Sequence, residues 1–382
     1  MIRIIADNKI PFLKGALEDV ADISYYPGSE ITGNKILNAD ALIIRTRTRC
    51  DESLLKGSRV KMIATATIGF DHIDTEYCKS RNINWTNAPG CNSSSVEQYV
   101  TSALLELAVN HGYNFEGKTI GIVGAGNVGT KVARIARLLG MEVLLNDPPR
   151  ARKEGGDGFV SLEELKSRSD IISFHVPLLT EGVDRTLWMA DRDFFNSIKQ
   201  SIILINTSRG EVVQGKALKE AINSDKVKYS VIDVWENEPL PDPDLIQLVS
   251  IATPHIAGYS TDGKVNGTTM SVHAISRFFG LGKEDWKPVD VPGPENHSLV
   301  VDCTGLKKEE ILLEVYSKIY DINTDDRDLR NDPGKFEELR GNYRLRREAP
   351  YYSVRLNNNP FEELAEILEG LGFSVLELDC FC

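Results

Sequence analysis

The chain reads as an α/β protein, with two doubly wound parallel-sheet domains followed by a small α+β C-terminal domain. Three observations predict this. Short β-rich runs alternate with polar helical stretches over the first hundred residues; the rhythm restarts at Lys118 with clearer strands; and it is interrupted by a Pro/Gly segment, Lys287 to Pro294. A length of 382 residues allows two or three domains and excludes a single small one.

In chain order, strands are predicted at 2–7, 21–27, 39–46, 60–69 and 82–90, each followed by turn chemistry or a charged amphipathic segment. The next segment, Ser93 to Val109, is apolar at Val96, Val100, Leu104 and Leu107 and capped by serines, which predicts an amphipathic helix linking two domains. Strands follow at 119–126, 141–147, 170–178, 201–210, 228–236 and 249–258, with helices such as 129–139 and 214–223 between them. A helical run to Phe279 is long enough to return the chain to the first domain. Beyond the Pro/Gly segment, helices at 307–318 and 361–371 mix with extended pieces at 352–356 and 373–378. The expected domains are 1–96 with 258–285 for substrate, 97–257 for a nucleotide, and 286–382 as the appended α+β domain.

Composition narrows the function classes. Apolar residues at 41% and charged residues at 26% exclude a collagenous, low-complexity or wholly disordered chain. A net charge of −12 repels nucleic acid and anionic membrane, so neither is an expected partner. The N-terminal segment is broken by Asp7 and Lys9 before a signal-peptide core develops, and no apolar run reaches the roughly 18 residues of a spanning helix. The expected location is the cytoplasm. Six cysteines, at 50, 78, 91, 303, 380 and 382, form neither a dense framework nor a CxxC pair, so free thiols and no metal site are expected; Cys380-Phe381-Cys382 offers a soft metal only two ligands.

Two constellations carry chemistry. Gly124-Ala125-Gly126-Asn127-Val128-Gly129 follows a strand and opens a helix, so its glycines permit a tight turn against a pyrophosphate that the helix N-terminus attracts. Asp147, at the end of the next strand, is placed to accept hydrogen bonds from the adenosine ribose. Together they predict a Rossmann-like site for NAD; Arg150 and Arg152 close behind are the features that would suit NADP. The second set is Arg209, Glu238 and His255, each at or just beyond a strand's C-terminal end. Oxidising a 2-hydroxy acid needs a cation for the carboxylate, a base for the hydroxyl proton and a group orienting that base, and these three side chains supply them.

With these residues, and with His175-Val176-Pro177-Leu178, the chain resembles the D-2-hydroxy acid dehydrogenase family across about residues 1–280. Within it, Ala64 through His72, Ala88 through Asn92, His255 through Ser260 and the C-terminal extension resemble a branch that oxidises C2 of 4-phospho-D-erythronate with NAD, on the route to pyridoxal 5′-phosphate. The resemblance implies Arg209, Glu238 and His255 as catalytic, with His255 as proton donor and acceptor. It implies Thr46, Thr67 and Tyr259 for substrate, and Asp147, Thr207, Ser208, Arg209, Asp233 and Gly258 for NAD. A sibling acting on phosphoglycerate, glycerate or lactate, or an NAD-sensing interaction protein, is the alternative.

The substrate phosphate needs a cationic cradle. Arg45, Arg47 and Arg49 alternate along what reads as a strand end and so would share one face, with Arg45 the first candidate. Arg340, Arg344, Arg346 and Arg347 are the alternative cradle, although most of these arginines read as a solvated basic face. The C-terminal apolar positions Leu312, Val315, Ile319, Val354, Leu364, Ile367, Leu368 and Leu371 demand a buried partner, some of them forming the domain's own core, which, with the resemblance, points to a homodimer through residues 286 onward; an appendage packed on its own subunit is the alternative.

Overall fold

A computed structural model of the chain describes residues 1–376; Cys380-Phe381-Cys382 and the end of the 373–378 segment lie outside them. The chain divides into two compact units, Met1–Asn92 with Ser260–Gly293, and Ser93–Tyr259 with the segment from Pro294 onward.

In the first unit, β1 (Ile2–Asp7), β2 (Ala21–Tyr26), β3 (Ala41–Ile44), β4 (Met62–Thr65) and β5 (Asn84–Thr86) form one parallel sheet in the order β2-β1-β3-β4-β5. Strands β3 and β4 are buried along their whole length, because both sheet faces are covered. Ile5, Ile44 and Ile63 pack on one face, while Ile4, Ile43 and Ala64 meet Val272 and Ile275 of the Thr261–Phe279 helix on the other. The Ser260 hydroxyl caps that helix on the Gly263 N–H at 2.9 Å, and Gly280 ends it in the left-handed region.

The arginine run after β3 corrects the sequence reading. Residues 45–48 form a turn closed by the Thr48 N–H on the Arg45 carbonyl at 3.1 Å, and the Thr48 hydroxyl bonds to the Gly28 carbonyl at 3.0 Å. Strand alternation therefore does not reach these residues, and the three arginines do not form one strand face. Arg45 Nε lies 3.5 Å from the buried Asp7 carboxylate, and exposed Arg49 lies 3.0 Å from Asp51.

The second unit holds β6 (Thr119–Val123), β7 (Glu142–Asn146), β8 (Ile171–Phe174), β9 (Ile202–Asn206), β10 (Val227–Ile232) and β11 (Ile251–Ala252), all parallel, in the order β11-β10-β9-β8-β6-β7. The order reverses between β6 and β8, the point at which doubly wound sheets bind ligands beyond their carboxyl ends. The C-terminal segment adds a parallel sheet, β12 (Ser298–Asp302), β13 (Ser353–Asn357) and β14 (Ser374–Val375), with β13 in the centre. Strand β12 escapes a pattern-based reading because only Leu299 and Val301 alternate inward.

The Ser93–Asn110 helix is not amphipathic. It is buried nearly all round, Glu97, Gln98 and Glu106 included, because the Asn127–Leu138 helix packs on it and so does the Lys308–Ile319 helix of the C-terminal segment. Burial raises the Glu97 pKa, opposed by the charges of Arg134 and Lys131; Arg134 pairs with Glu97 and donates to the Gly370 carbonyl. The apolar positions Leu312, Val315, Ile319, Val354, Leu364, Ile367, Leu368 and Leu371 are all buried within this unit, in one core with Val100, Leu104 and Leu107. Their demand for a partner is thus met inside the chain. The reading of Arg346 and Arg347 as a solvated face is also corrected: each is only 2% exposed.

Candidate active site

The nucleotide motif sits at the switch point. After β6, Gly124 takes φ +90°, and a Cβ there would lie 2.5 Å from the carbonyl oxygen of His175, the residue that follows β8. A Cβ on Gly129 would lie 1.9 Å from the Gly124 carbonyl, so the turn and helix close only with glycine at both places. At Gly126 the space is open, leaving room for a pyrophosphate against the first N–H groups of the Asn127–Leu138 helix.

Asp147 directly follows β7 beside this turn and caps the next helix, its carboxylate accepting from the Ala125 N–H at 2.9 Å and the Arg150 N–H at 3.1 Å. The arginines that would suit a 2′-phosphate are engaged elsewhere. Arg150 forms a bidentate pair with Glu154 at 2.8 Å and donates to the Ala125 carbonyl, while Arg152 pairs with Asp184. Turn, helix start and acid fit NAD. Asp147→Ser should narrow the preference for NAD over NADP by roughly 10-fold or more, read as the ratio of kcat/KM values; an unchanged ratio would remove Asp147 as the discriminator.

His175 links two strand ends: Nε2 lies 2.8 Å from the Ser173 hydroxyl, and Nδ1 lies 3.2 Å from that of Thr207. Desolvation lowers its pKa to about 3, so the ring is neutral and its bonds to the two hydroxyls are structural.

The loops after β9, β10 and β11 carry Arg209, Glu238 and His255, and Trp235 joins them. Its backbone N–H donates to Glu238 Oε1 at 3.0 Å, and its indole N–H donates to the Thr253 carbonyl at 2.9 Å. Its own carbonyl faces Gly210, where a Cβ would lie 1.9 Å from the carbonyl carbon and 2.0 Å from the oxygen. On the Arg209 side, Asn206 Oδ1 accepts from the Ser208 N–H and hydroxyl at 3.1 and 2.8 Å, and the Asn206 amide donates to the Arg209 carbonyl at 2.9 Å.

Glu238 Oε2 lies 2.7 Å from His255 Nδ1, which leaves Nε2 as the nitrogen available for proton transfer. Burial works to raise the Glu238 pKa, but the hydrogen bond and charge of His255, the Trp235 N–H and the Arg340 charge outweigh it, so the net shift is downward. His255 itself is held at φ +57°, a conformation uncommon outside glycine, so the surrounding bonds must impose it.

Those bonds come from both sides of the loop. Buried Asp233 accepts from the Thr253 hydroxyl at 2.7 Å and from the N–H groups of Ile256 and Ala257 at 2.8 and 2.9 Å. The hydroxyls of Tyr99 and Thr253 are 2.7 Å apart. Opposite, the Ala257 carbonyl accepts from the Ser95 hydroxyl at 2.8 Å and from Arg346 at 2.5 Å, and the Arg346 guanidinium lies over the Tyr320 ring at 4.4 Å. Gly258 and Tyr259 continue from this pinned backbone. The sequence reading does not single out Trp235 or Tyr99, and it names Arg346 only within the alternative phosphate cradle, not as a support of the His255 loop. A buried Trp one residue before Glu236-Asn237-Glu238-Pro239 is a signal for the first; nothing local marks the other two.

Of the substrate residues in the first unit, Thr46 lies exposed in the turn after β3, and Thr67 follows β4. The Thr67 hydroxyl lies 2.8 Å from that of Thr65 and donates to the Gly69 carbonyl at 3.0 Å. Both sit beyond the carboxyl ends of adjacent strands. Among the described residues no cluster of three His, Cys, Asp or Glu side chains is arranged to hold a metal, and no helix is long and apolar enough to cross a membrane.

Fold and site together define an NAD-dependent dehydrogenase. Residues 94–257 match the family profile described as D-isomer specific 2-hydroxyacid dehydrogenase, NAD binding domain, and residues 292–372 match a domain of unknown function. The chain is 51% identical to erythronate-4-phosphate dehydrogenase of Bacteroides fragilis, over 92% of its own length and 99% of the relative's. It is 41% identical to the enzyme of that name from Porphyromonas gingivalis, over 97% and 100%. A solved D-lactate dehydrogenase from Aquifex aeolicus, complexed with NAD and lactic acid, superposes with a TM-score of 0.62 at 28% identity, covering 73% of this chain and 95% of that one. The chain belongs to the erythronate-4-phosphate dehydrogenase family.

Proposed function

We propose that this protein oxidises C2 of 4-phospho-D-erythronate to (R)-3-hydroxy-2-oxo-4-phosphooxybutanoate, a step in pyridoxal 5′-phosphate biosynthesis. The observation that carries the reading is the 2.7 Å Glu238–His255 pair, joined through Trp235 to the Arg209 loop in the same unit as the nucleotide turn. NAD, when bound at the glycine turn, accepts the hydride from C2. His255 Nε2 takes the hydroxyl proton, and Glu238 on Nδ1 fixes the ring and stabilises the imidazolium that forms. Arg209 pairs with the substrate carboxylate and polarises the forming carbonyl. Thr46, Thr67 and Tyr259 contact the substrate. Asn127, Val128, Thr207, Ser208, Asp233 and Gly258 line the cofactor site with the motif glycines and Asp147. A spectrophotometric screen of phosphorylated and unphosphorylated 2-hydroxy acids, following NADH, tests the assignment: faster turnover of phosphoglycerate, glycerate or lactate would replace it with a sibling activity.

The proposed working form is a cytoplasmic homodimer that pairs through residues 286 onward. Exposed Val300, Leu345 and Tyr351 support such a face. Val300→Asp, on the outward side of β12, should shift the protein from dimer to monomer by light scattering at micromolar concentration. A dimer as tight as the unmodified one would exclude this face.

A further inference from the structure

The C-terminal segment, which matches a domain of unknown function, places a cation beside the His255 loop. Arg340 lies in the Phe336–Gly341 helix with its side chain only 20% exposed. Its guanidinium carbon is 5.6 Å from the centre of the Tyr259 ring and 5.7 Å from that of Phe336. Because the donors of a guanidinium lie in its plane, stacking on a ring leaves them directed outward around its edge.

The other arginines of the 340–347 run are held by their surroundings. Arg344 pairs with Asp325 at 2.8 Å, and Arg347 is buried over the Tyr351 ring at 3.4 Å. Arg346, whose Nε is also buried without a partner among the described residues, directs its Nη2 at the Ala257 and Ser95 carbonyls and is only 2% exposed, which leaves no room for a ligand beside it. Among the described residues Arg340 makes one ion pair, at 3.2 Å with Glu337, a neighbour on its own helix that is 39% exposed. Its Nε hydrogen is buried and has no partner among the described residues. A shielded cation with an unused donor, stacked on the residue after Gly258, is arranged to receive an anion. In the first unit the Arg45 Nε is likewise buried without a hydrogen-bond partner among the described residues, but its charge already lies 3.5 Å from the buried Asp7 carboxylate.

We infer that Arg340 is a specificity-determining residue that binds the substrate's phosphate, with Tyr259 as the platform that holds its guanidinium. This rests on the proposed function, and it makes the C-terminal segment part of the substrate site. Arg209 is left to the carboxylate, so each anionic end of the substrate has its own guanidinium. The charge of Arg340 also favours the ionised form of Glu238, which places it within electrostatic reach of the catalytic pair.

The test uses full-length protein carrying Arg340→Ala, Arg340→Lys or, as control, Glu337→Ala. Initial rates are measured with NAD on 4-phospho-D-erythronate and on D-erythronate, and binding of 4-phospho-D-erythronate in the presence of NADH is measured by calorimetry. Arg340→Ala should raise KM and Kd for the phosphorylated acid by roughly 30- to 300-fold and leave kcat within about fivefold, while kcat/KM for D-erythronate falls by no more than about fivefold through the lost charge near Glu238, since the charge-assisted contact to phosphate is the larger loss. Arg340→Lys should recover part of the loss, and Glu337→Ala should resemble the unmodified protein. An equal fall on both substrates, or an unchanged KM and Kd for the phosphorylated acid, overturns the inference. Absence of turnover and of binding with 4-phospho-D-erythronate in the unmodified protein overturns the proposed function instead, and Arg340 with it.

Discussion

Replacing His255 with Ala should lower kcat by roughly 10²- to 10⁴-fold, the usual worth of a positioned general base. NADH binding, followed by fluorescence, should survive, because the glycine turn and Asp147 belong to β6 and β7 whereas His255 follows β11. Glu238→Gln separates proton transfer from its tuning. It keeps a hydrogen-bond acceptor near Nδ1 but removes the counter-charge, so the imidazolium is less favoured and the acid limb of the kcat/KM profile should move to lower pH. A kcat near that of the unmodified protein in His255→Ala would require another base.

The second large effect is expected at a residue with no chemistry of its own. Gly210→Ala would place a methyl group 1.9 Å from the Trp235 carbonyl carbon and 2.5 Å from the Glu236 N–H nitrogen, both of them backbone. Neither can swing aside as a flexible side chain would, so the β9 and β10 loops must part. Overpacking of this kind costs about 1–3 kcal/mol. The functional loss should be larger, about 10²-fold or more in kcat/KM, because a shift near 1 Å separates Arg209 from the Glu238–His255 pair. Thermal unfolding and steady-state kinetics on the same sample check both parts. Unaltered Tm and kcat/KM would mean that the two loops move independently.

Gly210 illustrates what the sequence could and could not reveal. The strand ends that carry the nucleotide turn, Asp147 and the three loops proposed for catalysis were legible because each follows a strong β-pattern. Trp235, which ties those loops together, looks in sequence like any core aromatic; its indole and backbone bonds depend on the register of three parallel strands. The Arg45–Arg49 segment was misread because a period of two is shared by strands and by polar turns of alternating composition, and only the Thr48 bond to Arg45 distinguishes them. Arg346 and Arg347 were misread for a more general reason. A charged run is assigned to solvent by its neighbours in sequence, whereas these two are enclosed by Tyr320, Tyr343, Tyr351 and the Ala257 carbonyl. The same blindness to distant partners made the apolar C-terminal positions look as though they needed a second chain, when the Ser93–Asn110 helix was available to cover them.

The burial of that helix on two sides has a consequence for synthesis. Ser95 and Arg346, which meet on the carbonyl of Ala257, are separated by 251 residues. At the usual translation rate of about 5–20 residues per second, the helix waits roughly 10–50 s for the segment that covers it. During that interval the nascent chain carries the nucleotide-binding strands with the apolar face destined for Leu312, Val315 and Tyr316 open to water. The last quarter of the message therefore covers what the earlier part leaves open: a chain terminated near Gly293 should expose the apolar face of the Ser93–Asn110 helix instead of folding as a smaller dehydrogenase.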